Sequence, residues 1–221
     1  MKVLFAVLWK DLVCEWRSRD RIVAMGVFAL LVVVIFHFAL PSGTGSQIAD
    51  NAPGLLWVAF VFSALLGLGR SFAQEVENDA ISALALAPTE RGFVFLGKAL
   101  ANFLLIGAVQ AMTATAFALV FDLSLSEVAL PLAAVTALGT LGIASVGTLI
   151  AAMAVRTRYG EVLMPILLLP TLVPILVGAV EGTQGVLSDG ALPLAAVQLL
   201  VVVDVTYLIV SFLGFEYVLD E

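Results

Sequence analysis

VALPLAAVTALGTLGIASVGTLIAAMAVRTR, residues 128–158, decides the class of this protein. From Val128 through Val155 there is no charged side chain; Glu127 stands just before the run, and Arg156 and Arg158 close it. About 20 helical residues cross the ~30 Å of hydrocarbon in a bilayer, so this run is long enough to span. Five more apolar runs occur, and the spans read as about 22–40, 53–72, 99–121, 128–154, 161–180 and 191–215. The acid-to-cation polarity of the quoted run recurs along the chain. All ten Lys and Arg fall in three stretches. Lys2, Lys10, Arg17, Arg19 and Arg21 precede the first span. Arg70, Arg91 and Lys98 bracket the second-to-third connection, and Arg156 and Arg158 sit in the fourth-to-fifth. Residues 41–52, 122–127 and 181–190 and the C-terminal tail hold only acids and neutral residues. Cationic loops resist translocation, which predicts that both termini and the cation-bearing connections are cytoplasmic.

Composition agrees with an all-α polytopic membrane protein, read as one transmembrane domain over residues 1–221. Hydrophobic residues make up 62% of the chain and charged ones 12%, outside the range of ordinary globular domains. The net charge of −7 resides mainly in loops and tail and does not suggest a nucleic-acid partner. A single cysteine, Cys14, excludes an intramolecular disulfide framework, and no His/Cys cluster suggests a metal. Three acids precede the first apolar run and no small-x-small site ends it, so it reads as a retained span.

The spans differ from one another. The fourth carries Thr140, Ala144, Thr148 and Ala152 beside Gly139, Gly142 and Gly147, and the third carries Gly107, Ala111 and Thr115. Small residues at every fourth position allow close helix approach in lipid, and both strips are expected to pack inside the bundle. Pro165, Pro170 and Pro174 predict a kinked or broken fifth span, with residues 175–190 a candidate re-entrant hairpin. Residues 1–20 read as an interfacial helix. Phe5, Leu8, Trp9, Leu12, Val13 and Trp16 share one face, and Lys10, Asp11, Glu15, Arg17 and Ser18 the other.

Candidate chemistry is sparse. Gly92 to Lys98 has P-loop spacing, but Ala99 replaces the Mg²⁺-binding hydroxyl, no strand precedes it and a span follows. Lys98 is instead expected to snorkel at the inner end of the third span. With one histidine, His37, at the outer end of the first span, no catalytic set is evident, and the chain is not expected to be an enzyme. Asp204 lies mid-span in the sixth helix, where a carboxylate normally faces the bundle interior. Gln110 and Gln198 are its candidate partners, and Leu200, Val201, Tyr207, Leu208 and Ser211 are expected to be buried beside it.

The segment 73–92 is too long for a turn. Glu75, Glu77 and Asp79 precede Ile81, Leu84 and Leu86, and Pro88 follows. Acids in a first turn and a terminating proline suit a short amphipathic helix lying along the membrane. Such a helix can dock into a groove on a cytoplasmic partner.

At this point the chain resembles a family. The acids after the second span, the Leu84-Ala85-Leu86-Ala87-Pro88 run and the Gly97-Lys98 pair resemble the coupling segment of six-span ABC exporter permeases. Several stretches more closely resemble the heme exporter permease of cytochrome c maturation, CcmB. These are Ala52-Pro53-Gly54-Leu55-Leu56-Trp57, Arg70-Ser71-Phe72, Leu138-Gly139-Thr140-Leu141-Gly142, Arg156-Thr157-Arg158, Leu169-Pro170-Thr171-Leu172-Val173-Pro174 and the Phe215-Glu216-Tyr217 tail. The resemblance implies a permease in the inner membrane without its own nucleotide site, present as two copies. Glu75, Glu77, Asp79, Leu84, Leu86 and Pro88 would contact a separate ATP-binding subunit (CcmA-like) holding ATP and Mg. A heme-handling membrane protein (CcmC-like), its small companion (CcmD-like) and a heme chaperone (CcmE-like) are the further implied partners, with heme as possible cargo. Two alternatives stay open: an ABC permease for a lipid, peptide or drug, and a non-transporting scaffold that couples ATP hydrolysis to chaperone release.

Overall fold

The computed structural model describes residues 2–39, 45–72, 91–122 and 128–220. Among these there are seven helices and no strand: α1 (Lys2–Ser18), α2 (Asp20–Ala39), α3 (Gly45–Gly69), α4 (Arg91–Val120), α5 (Ala129–Val155), α6 (Gly160–Asp189) and α7 (Leu194–Asp220). Six of them, α2 to α7, are long and apolar enough to cross a bilayer, so the chain is an all-helical, multi-pass membrane protein.

Several boundaries differ from those read in the sequence. Helix α4 begins at Arg91 rather than near residue 99, so residues 91–92, read as the end of the coupling segment, belong to α4. The stretch with P-loop spacing is therefore helical from its first residue rather than a loop, and from Phe95 onward its backbone N–H groups serve the helix. Helix α6 runs unbroken from Gly160 to Asp189, which excludes the hairpin at 175–190. Prolines are tolerated in transmembrane helices when neighbouring elements enclose the freed carbonyls. Helix α7 packs along α6 here, and Tyr207 of α7 donates to the carbonyl of Thr171, one residue after Pro170 and not itself freed by a proline, at 2.6 Å. The helix ends at Gly190, whose φ of +66° forms the left-handed cap and whose N–H bonds the carbonyl of Val186. Between α1 and α2 the chain turns on one residue, Arg19, at φ +59°.

Helix α5 is the central element, because its small residues admit large side chains from both α3 and α6. Trp57 of α3 lies over Gly139, Leu68 of α3 over Gly147, and Ile175 of α6 over Gly142. The strip Thr140, Ala144, Thr148 and Ala152 is buried inside the chain, as expected. Trp57 is 1% exposed, and its indole N–H donates to Thr183 Oγ1 of α6 at 2.9 Å. A Cβ at Gly139 would stand 2.3 Å from the Trp57 ring. Gly139→Val is accordingly expected to destabilise by about 1–3 kcal/mol through overpacking. Thermal denaturation in detergent checks this, and an unchanged midpoint would refute the contact.

Candidate functional site

At the end of the bundle that carries Arg70, Arg91 and Arg156, five segments meet around buried polar side chains. Arg21, the second residue of α2, is 9% exposed and is held from two sides. Its Nε donates to Glu15 Oε2 of α1 at 3.1 Å, and its Nη1 donates to Asn102 Oδ1 of α4 at 3.0 Å. The other Glu15 oxygen accepts the N–H of Ile22 at 2.9 Å. Asn102, 3% exposed, also accepts from Ser71 Oγ and donates from Nδ2 to Thr148 Oγ1 of α5. One turn earlier on α4, Lys98 donates to Asp11 Oδ2 at 3.1 Å and to the carbonyl of Ser71 at 3.2 Å. Its ammonium also stands 4.4 Å from the centroid of the Phe72 ring. Taking charges out of water is costly unless geometry and added hydrogen bonds compensate, and here each charge has a partner.

Two expectations are corrected by this cluster. Lys98 does not snorkel to water; at 1% exposure it lies under α1, because Asp11 supplies a counter-charge nearer than the solvent. The polar face of α1 is divided as well. Val7 and Glu15 are buried and Asp11 is largely covered, while Phe5, Trp9 and Trp16 are 60%, 71% and 75% exposed. The helix packs closely enough on α4 that Leu4 and Val7 lie over Gly97. Helix α1 therefore turns its acids to the bundle cations and its large aromatics outward, the arrangement of a helix lodged between a protein and an apolar phase. Periodicity separated polar from apolar residues but did not show which polar residues meet buried partners. Arg21 and Asn102 carry no motif; Asp11 and Glu15 enter only as part of a polar face, Ser71 as part of a family stretch and Thr148 as part of a small-residue strip, none of which shows that they meet.

The cluster ends at Ser71 and Phe72, immediately before residue 73. Glu75, Glu77, Asp79, Leu84, Leu86 and Pro88 lie outside the described residues. At the same end a cavity of about 730 Å³ opens between α3, α5 and α6, with Arg70, Arg158 and Glu161 on its walls.

Within the spans, Asp204 is 3% exposed, and neither of its oxygens has a hydrogen-bond partner among the described residues. Oδ1 sits where a Cβ on Gly142 would fall, 2.5 Å away, so glycine is what admits the carboxyl against α5. Leu200 and Ser211 are buried on the same face, as expected, but Tyr207 and Leu208 are only half-buried and Val201 is 42% exposed. At 100° per residue Val201 lies 60° around the helix from Asp204, on the side opposite Leu200 and Tyr207, where it meets the surroundings. Neither glutamine reaches the carboxyl. Gln198 is exposed near the start of α7, and Gln110 lies beside Thr140, two residues and some 200° of helix away from Gly142 on α5. The Tyr207 hydroxyl is committed to Thr171, and Ser211 Oγ has no partner among the described residues. His37 is exposed, with its ring against Phe38 and Phe121, and Cys14 is half-buried.

Comparison with known proteins accounts for this architecture. Residues 2–219 match the family described as CcmB protein. The chain is 34% identical over 204 residues to heme exporter protein B of Paracoccus denitrificans, covering 92% of each chain. It is 32% identical over 198 residues to heme exporter protein B of Rhodobacter capsulatus, covering 86% of this chain and 88% of that one. With the protein of that name from Pseudomonas aeruginosa it shares 31% over 171 residues, 75% of each chain. A match that takes in α1, all six spans and the buried polar cluster leaves one conclusion: the chain belongs to the CcmB protein family.

Proposed function

We propose that this chain is the permease subunit of an ATP-driven complex that serves heme export for cytochrome c maturation. The observation that carries the reading is the near full-length similarity to proteins named heme exporter protein B, on a fold with six apolar helices. ATP hydrolysis belongs to a separate CcmA-like subunit, and two permease copies join CcmC-like, CcmD-like and, indirectly, CcmE-like partners. Heme is the cargo class this reading names. A strain lacking the gene tests it: c-type cytochromes should disappear and return when the gene is restored, and their persistence would overturn the reading.

The energy input enters through residues 73–90. Leu84 and Leu86 fill an apolar groove on the ATPase, Glu75, Glu77 and Asp79 orient the segment, and Pro88 lies in or beside the contact. The buried cluster supports this, since Lys98 and Asn102 hold Ser71, the anchor from which the segment departs. Leu84→Asp with Leu86→Asp should abolish co-purification of the ATPase and leave membrane insertion intact. Undiminished co-purification would remove the docking role.

Orientation follows the cations, with both termini in the cytoplasm of an inner-membrane protein. On a Cys14→Ser background, Arg158→Cys should be shielded from an impermeant thiol reagent in intact cells, whereas Ser188→Cys should react. The opposite pattern would invert the topology.

A further inference from the structure

Between α4 and α5, in the half of the spans nearer residues 121–128, a groove of about 400 Å³ opens. The strip Gly107, Ala111 and Thr115, expected to pack inside the bundle, lines it instead. Ala111 and Thr115 are exposed, and a Cβ on Gly107 would meet nothing within 4 Å. Opposite them, Ala129, Ala133 and Ala137 of α5 are exposed as well. Eleven residues further along α5 are three turns, which return to nearly the same face. There the small residues Thr140, Ala144 and Thr148 are buried by this chain's own helices. One face of α5 is thus covered in one half of the membrane and bare in the other.

At the base of the groove stands Gln110, 0% exposed and part of its lining. One end of its amide meets Thr140 Oγ1; the other, Nε2, has no partner among the described residues. Thr140 Oγ1 also donates to the carbonyl of Thr136 at 2.6 Å, and a hydroxyl carries a single proton. Whichever way the amide is turned, one end is left over. Acyl chains can fill such a groove but offer the amide nothing, and a buried polar group without a partner is costly. A second copy of this chain with the two-fold axis through the groove would set groove against groove and fill neither.

We propose that the groove between α4 and α5 seats a transmembrane helix of a different membrane polypeptide. That helix presents small residues to both alanine-rich walls and a Ser or Thr hydroxyl to Gln110. A hydroxyl both donates and accepts, so it satisfies the free amide end in either orientation, and its size allows close approach. From Phe103 to Thr115 the groove is roughly 18 Å long at 1.5 Å per residue, about three turns of an added helix.

The test uses the full-length protein in the membranes of its own cells, with a photo-reactive side chain at Ala111 or Ala133 and a control at Val205, which is 52% exposed on α7. Both groove positions should yield the same adduct, mapped by mass spectrometry to a transmembrane segment of another protein, at least tenfold above the control. Filling the groove from the opposite wall should remove most of it: Ala133→Leu for the probe at 111, Ala111→Leu for the probe at 133. Gln110→Leu should lower it several-fold at both positions. An adduct of two copies of this chain, lipid adducts alone, or a protein adduct insensitive to both the filling variants and Gln110→Leu would overturn the proposal. These readouts do not depend on cytochrome c content, so this proposal and the heme-export reading can fail separately.

Discussion

Arg21→Met is expected to destabilise the protein by about 3–5 kcal/mol, the cost of removing one partner from a buried ion pair. Glu15 would keep the N–H of Ile22 but lose the cation that offsets its desolvation, at a side-chain exposure of 8%. The effect should concentrate on α1, which this pair joins to the start of α2. Adding Glu15→Gln removes the stranded charge, and the double variant should recover about half of the loss. Denaturation in detergent gives the four stabilities of the cycle, and protease sensitivity near residue 18 reports the release of α1. A single variant as stable as the parent would show that water reaches Glu15 and that the pair contributes nothing.

The second large effect has the opposite sign. Asp204→Leu matches the side chain heavy atom for heavy atom and removes two buried oxygens that have no partner among the described residues. Replacing a buried unpartnered polar group by an apolar one of similar shape should stabilise by about 1–3 kcal/mol. Asp204→Asn keeps the polar atoms and should give little of that gain. Cytochrome c maturation should nevertheless fall sharply in the leucine variant, because groups that cost stability are retained where a protein needs them. A leucine variant that loses stability would reveal a hidden partner for the carboxyl. One that is stabilised and fully active would make Asp204 dispensable.

Both results bear on how far one-dimensional information reaches. The one-dimensional pattern settles the class, because an apolar run as long as Val128 to Val155 is long enough to cross a bilayer and because the cations sort to alternate connections. It also determined that Asp204 turns inward, since charge at mid-membrane is too costly to face lipid. Local proline chemistry misled: Pro165, Pro170 and Pro174 argue for a break, but whether a helix continues past a proline depends on the neighbours that enclose it, and α6 has α5 and α7. Long-range packing set the fate of Lys98, which by sequence belongs at the interface and in the fold is roofed by α1. The same holds for the two small-residue strips, which are alike in spacing while one is buried and the other lines an open groove. Spacing determines what a face is able to do, whereas the partner that covers the face is a long-range fact. Residues 21 and 102, or 11 and 98, meet only after the helices between them have packed.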